Sequence, residues 1–195
     1  MEILYFLIAI ISTIIGSAAG IGGGVIIKPA LDALSKYSLP TVNLLSSSTI
    51  FIMSIVTVFY QLKKKNKINS KNTIIVAIGS IIGGVIGQKI MTLLTSSRIN
   101  INIINNVQSV MLIILLLIVF IYMKNKSNIK TYNINNITLI GLLGLFLGAI
   151  SAFLGIGGGP MNVAAFTILF SMSANEAARN SIIVIFFSQG SKILS

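Results

Sequence analysis

Apolar residues run through this chain in stretches of 17 to 22, separated by short polar connectors and by two clusters of glycine. Ile3 to Ala19, Thr41 to Leu62, Thr73 to Leu94, Val107 to Met123, Ile137 to Leu154 and Ala177 to Leu194 are each long enough for one helix to cross a bilayer core. Two further stretches, Val25 to Leu34 and Pro160 to Met172, are too short for a comfortable crossing. The first of them reads as a half-helix, a re-entrant limb, or the far end of one kinked helix. Val107 to Met123 is the most uniformly aliphatic stretch and is expected to face lipid.

The glycine clusters punctuate this pattern. Gly20-Ile21-Gly22-Gly23-Gly24 returns intact as Gly155-Ile156-Gly157-Gly158-Gly159, 135 residues later, each copy following a long apolar run. The repetition predicts an all-α, polytopic membrane protein of two homologous helical repeats with Gly-rich breaks. Residues 1–130 form the first repeat and 131–195 the start of an incomplete second one. A break that merely kinks its helix leaves the repeats parallel; a break after which both limbs cross leaves them inverted. Either is compatible with the sequence.

Backbone broken inside a bilayer survives only where protein or a water-filled cavity satisfies its polar groups, and paired Gly-interrupted segments mark transporter binding sites. Consecutive glycines permit positive φ and a close approach of backbone to a ligand. Pro160 suits the first turn of a helix starting after the second cluster. Each break is therefore expected to expose a helix N-terminus, with free N–H groups and the positive dipole end that attract an anion. The candidate substrate-binding set is Gly22, Gly23 and Gly24 with Gly157, Gly158 and Gly159, supplemented by Ser46, Ser181 and Asn162. An anion held by backbone dipoles needs no buried cationic residue. The competing reading is helix packing, since Gly16, Gly20 and Gly24, like Ser151, Gly155 and Gly159, recur at i, i+4, i+8. Gly79, Gly83 and Gly87 repeat that spacing and predict close helix contact.

Charge adds an orientation. Lys and Arg number 14 against 3 Asp and Glu. Lys63, Lys64, Lys65, Lys67 and Lys71 share one connector, while Lys124, Lys126 and Lys130 share another. Basic loops stay on the cytoplasmic side, so both are expected inside, a cysteine at Lys65 is expected to be shielded from outside reagents, and the connector with Arg98 lies outside. With 55% hydrophobic and 9% charged residues and a mean hydropathy of +0.98, the chain is too apolar for a soluble domain. No basic face interleaved with aromatics exists for nucleic acid.

The chain has no cysteine and no histidine, which removes thiolate chemistry and the commonest general base and metal ligand. Glu2, Asp32 and Glu176 all lie near segment ends, away from the middle of the membrane, where a proton relay would need them. An enzyme is not expected, nor a cofactor or metal. The expected partners are a small anionic substrate and the lipid bilayer, with a homo-oligomer allowed and nucleic acid excluded. Arg179 and Lys28 can attract an anion or snorkel to an interface. A scaffold or assembly protein, whose glycines only pack helices, is the alternative class.

The glycine motifs, with Pro29 after the first and Pro160 after the second, and Asn175-Glu176-Ala177-Ala178 with Ser181 beyond, resemble the sulfite exporter TauE/SafE family, also called the toluenesulfonate uptake permease family. The resemblance spans essentially the whole chain. It implies a multi-pass permease of the bacterial inner membrane for sulfur oxyanions or organosulfonates, such as sulfite or sulfoacetate. It also implies further helices beyond the segment starting near Ala177, so the chain reads as ending inside its second repeat. One departure is local: the Ala-x-x-Thr-Ser pattern after the first cluster is met only loosely by Asn43-Leu44-Leu45-Ser46-Ser47.

Overall fold

A computed structural model describes residues 2–34, 37–63, 70–97, 99–125 and 129–195. Lys64, Lys65, Lys67, Arg98 and Lys126 lie outside the described residues. The described chain is all-helical: α1 (Glu2–Ala19), α2 (Gly24–Ala33), α3 (Leu39–Lys63), α4 (Ser70–Ser96), α5 (Ile101–Lys124), α6 (Ile137–Leu154), α7 (Gly159–Leu169) and α8 (Ala174–Leu194). Of these, α3, α4, α5 and α6 are long and apolar enough to cross a membrane. Among those four, α5 is the least buried, and its aliphatic wall stands open as its composition predicts.

Several helices begin earlier than their apolar runs because polar residues cap and open them. Asn100 accepts the Asn102 N–H, which starts α5 six residues before Val107. Ser173 and Glu176 form a reciprocal capping box that starts α8 at Ala174. α7 is shorter than its apolar run, because Ser171 turns into positive φ at 52° and ends the segment before Met172.

The glycine clusters are hairpin tips. Gly23 packs on Ser12 and Gly16, while Tyr5, near the start of α1, packs against Ile27 and Leu31 of α2 and meets the Tyr37 ring beyond it at a tilt. Sequence falling along α1 therefore meets sequence rising along α2, and α2 runs back alongside α1. The second cluster does the same. Gly158 packs on Ser151, and the Tyr132 and Ile134 N–H groups donate to the Ile168 and Leu169 carbonyls, so α7 returns to the start of α6. At about 1.5 Å per residue, α2 and α7 each reach only about half of a ~30 Å hydrocarbon core.

The two hairpins match in detail. Helix starts at 2, 24 and 39 recur at 137, 159 and 174, each 135 later. Gly20, Gly22 and Gly23 have φ of 70°, 82° and 64°; Gly155, Gly157 and Gly158 have 68°, 78° and 69°. The contacts between the halves are reciprocal as well. A Cβ on Gly24 would enter the Ile156 carbonyl, and one on Gly159 the Ile21 carbonyl. Gly20 sits on Ala178 and Gly155 on Asn43, and again 43 and 178 differ by 135. Ile50 and Ile185 close over Gly22 and Gly157 from either side.

Helix directions follow from the remaining contacts. Ser47 meets Lys192, and Phe51 stacks on Phe186, so α3 and α8 run antiparallel. Gly79, Gly83 and Gly87 of α4 press on Gly141, Leu145 and Ala149 of α6 in rising order, so that pair is parallel. The small-residue stripe thus packs two helices at near backbone contact, as its spacing predicts. Lys63, Lys71, Lys124 and Lys130, which flank the two basic connectors, come to one end of the bundle. The starts of α1, α3 and α5 share the other. α5 tethers both half-helices: Lys28 of α2 donates to Gln108 Oε1 at 2.9 Å, and the Tyr122 hydroxyl donates to Thr167 of α7 at 2.9 Å.

Candidate functional site

The two hairpin tips meet in the interior, and every candidate residue lies there. Gly22, Gly23, Gly24, Gly157, Gly158 and Gly159 are buried, as are Ser46, Ser181 and Asn162. Gly23 and Gly158 occupy the N-cap positions of α2 and α7 in the left-handed conformation, and neither helix has a side-chain cap. A left-handed residue disfavours any Cβ, which is why the chain places glycine there. The breaks do create two bare helix N-termini, with Pro160 in the first turn of α7.

Not all of the N–H groups are open. The Gly22 N–H donates to the Gly16 carbonyl at 3.1 Å, and the Gly24 N–H to the Gly22 carbonyl at 2.7 Å. The amides of Gly23, Gly157, Gly158 and Gly159 donate to no backbone acceptor outside the helices among the described residues. Ser46 donates to the Gly155 carbonyl at 2.7 Å, and Ser181 to the Gly159 carbonyl at 3.3 Å. Their hydroxyl protons are thus committed to loop carbonyls, and these two serines position the tips. Asn162 differs: its side-chain Oδ1 is buried without a partner and stands 3.6 Å from where a Cβ on Gly158 would lie.

Packing is one role these glycines fill. Side chains at Gly16, Gly20, Gly24 or Gly159 would collide with backbone, so the clusters let the tips interlock whatever else they do. The two N-termini are brought to one interface in the process.

Two cationic side chains, Lys28 and Lys192, are buried in the fold, with their polar contacts on residues other than the tip glycines. Lys28 lies 3.3 Å from Asp32 Oδ2, while Gln108, which holds it, also donates to the Phe153 carbonyl at 2.6 Å and to the Met91 sulfur at 3.2 Å. Lys28 does not snorkel; it knots α2 to α5. Arg179 is half-buried near the start of α8. Lys192 donates to Ser47 Oγ at 2.6 Å and has no carboxylate partner among the described residues. The sequence carried a signal for it: Ser188, Gln189 and Lys192 fall at i, i+1, i+4 on one helical face inside an apolar run. Polar residues so placed in a membrane helix face the bundle interior.

The family's sequence profile, described as Sulfite exporter TauE/SafE, matches residues 5–195, nearly the whole chain. The chain belongs to this family. It is a family of transporters, and with four apolar spanning helices the chain is a multi-pass membrane protein. No curated protein and no solved structure matches the chain.

Proposed function

We propose that this chain is a permease of the bacterial inner membrane for small anions, sulfur oxyanions such as sulfite or short organosulfonates such as sulfoacetate. The observation that carries the reading is the pair of uncapped helix N-termini, at Gly23 and Gly158, directed to one interface between interlocked tips. Half-length helices put that interface near the middle of a bilayer, where water is scarce and unpaired donors favour an anionic ligand. Gly22 to Gly24 and Gly157 to Gly159 supply the backbone, Asn162 an amide, and Ser46 and Ser181 hold the loops. The reciprocal contacts between segments 135 apart, running in opposite directions, support a pair of inverted repeats. Such halves can rock against each other to expose one site to each side in turn. With the basic connectors cytoplasmic, the starts of α1 and α3 face outward.

The tight backbone contacts at Gly24 and Gly159 also suit a scaffold that moves nothing. Flux separates the two. The purified chain in proteoliposomes should accumulate sulfite or a short sulfonate above protein-free vesicles, under an imposed proton or sodium gradient. No uptake of sulfite, sulfonates or thiosulfate under either gradient, by this chain and by a longer homologue with the same glycine clusters, would favour the scaffold.

A further inference from the structure

We infer that a second anion site lies outside the glycine tips, in the cavity where Lys192, Ser47 and Asn43 meet. The cavity has a volume of about 270 Å³ and is lined by Asn43 and Ser47 of α3, Gln88, Met91 and Thr92 of α4, and Lys192 of α8. It lies at the end of the bundle opposite Lys63 and Lys71, since it takes the first turns of α3 and the last turns of α4 and α8.

Three observations converge on it. First, the Lys192 side chain is 5% exposed, and of the three ammonium protons one is used, on Ser47. A buried ammonium with no carboxylate beside it is costly unless it gives up its proton or an anion completes the pair, and a cavity at its side makes room for the anion. Second, Asn43 is buried in the same lining, and both its Oδ1 and its Nδ2 lack partners. An amide donor beside two free ammonium donors is a set that fits several oxygens of one oxyanion. Third, the polar set is one-sided. Stepping 135 residues from Asn43, Ser47 and Lys192 leads to Ala178, Ile182 and Thr57, so the shared framework packs without these groups.

The position connects the cavity to the tips. A Cβ on Gly155 would come 2.6 Å from Asn43 Oδ1, and the neighbouring Ser46 holds the Gly155 carbonyl. The cavity therefore abuts the second glycine cluster and forms a vestibule before it. Its volume falls below the roughly 300–1,000 Å³ of pockets that take drug-sized ligands. The chemistry it fits is a tetrahedral or pyramidal oxyanion of a few heavy atoms, such as sulfite, sulfate or methanesulfonate. The identity of the anion rests on the permease reading; the existence of the site rests on Lys192, Ser47 and Asn43.

Binding and flux, measured separately, test the inference. Calorimetric titration of the purified full chain in nanodiscs should show saturable binding of sulfite, sulfate and methanesulfonate. Lys192→Met should weaken that binding roughly ten- to hundredfold, while Lys192→Arg retains most of it. Helicity and elution volume identify a methionine variant that misfolds, in which case Ser47→Ala and Asn43→Leu carry the test through the same titration. Folded Lys192→Met binding sulfite as the parent does, or a parent that binds none of the three anions, overturns the site. Flux that persists with unchanged binding in Lys192→Met leaves the permease and removes the vestibule. Lys192-dependent binding without any flux leaves the site and removes the permease.

Discussion

Gly159 and Gly141 belong to the same stretch of chain yet carry opposite expectations. A Cβ on Gly159 would enter the Ile21 carbonyl of the other tip, where backbone cannot yield as a side chain can. Gly159→Ala should cost about 1–3 kcal/mol through overpacking, read as a lower thermal midpoint by circular dichroism in detergent. A Cβ on Gly141 meets nothing nearer than Ile75 Cγ2 at 4.0 Å, so Gly141→Ala should hold or slightly raise that midpoint. Equal midpoints for the two variants would show that the tips do not interlock as described. Valine at Gly158 is a poorer probe of ligand binding than its place at the tip suggests. It would face positive φ and a Ser151 Cβ at 2.6 Å, disturbing packing along with any ligand. The breaks themselves were legible in the sequence because three adjacent glycines after an apolar run have few other uses. The partners of individual residues were not. Lys192 looks like an interfacial lysine near the end of an apolar segment; the polar face it shares with Ser188 and Gln189 hints at the interior, but its partner Ser47, 145 positions away, was not legible.

Helices were legible wherever apolar length alone decides, as in α3 to α6, and less so where polar residues are buried. α8 is long enough to cross, yet it carries Asn180, Ser181, Ser188, Gln189 and Lys192 on buried positions. It packs against α3, α4 and α7, and this shielded place lets it hold polar groups that lipid would reject. The role of α5 was legible only on its open side. Its aliphatic wall announces lipid, but nothing in the sequence marks Gln108, one of several polar residues in the first turns of α5, or Tyr122, near its end, as the ties to α2 and α7. Replacing Gln108 with Leu removes bonds to the buried Lys28 ammonium and to the Phe153 carbonyl. The loss should be about 2 kcal/mol, since hydrogen bonds to charged groups are the strong ones. Tyr122→Phe breaks one neutral bond and should cost below about 1 kcal/mol. Thermal unfolding of the two variants side by side checks the ranking; an equal or reversed order would mean that Lys28 is not held through Gln108.

The relation between the halves is what length and hydropathy could not decide. An offset of 135 residues announces a repeat but is silent on direction, which depends on whether the chain reverses at each glycine cluster. The contacts of Gly23 with Ser12 and of Gly158 with Ser151 mark a reversal at each cluster, and they support the proposal that the two hairpins enter from opposite sides. Opposed hairpins place two helix N-termini at one interface, the feature on which anion transport depends in this account. Ser38 and Ser173 test it most directly: they are 135 residues apart, both exposed, and each lies just before the long helix that follows its hairpin. In this cysteine-free chain, Ser38→Cys and Ser173→Cys can be labelled one at a time with a membrane-impermeant thiol reagent in sealed right-side-out vesicles. The inverted arrangement predicts that Cys at 38 reacts from outside, while Cys at 173 reacts only after the vesicles are opened. Reaction of both from the same side would contradict it.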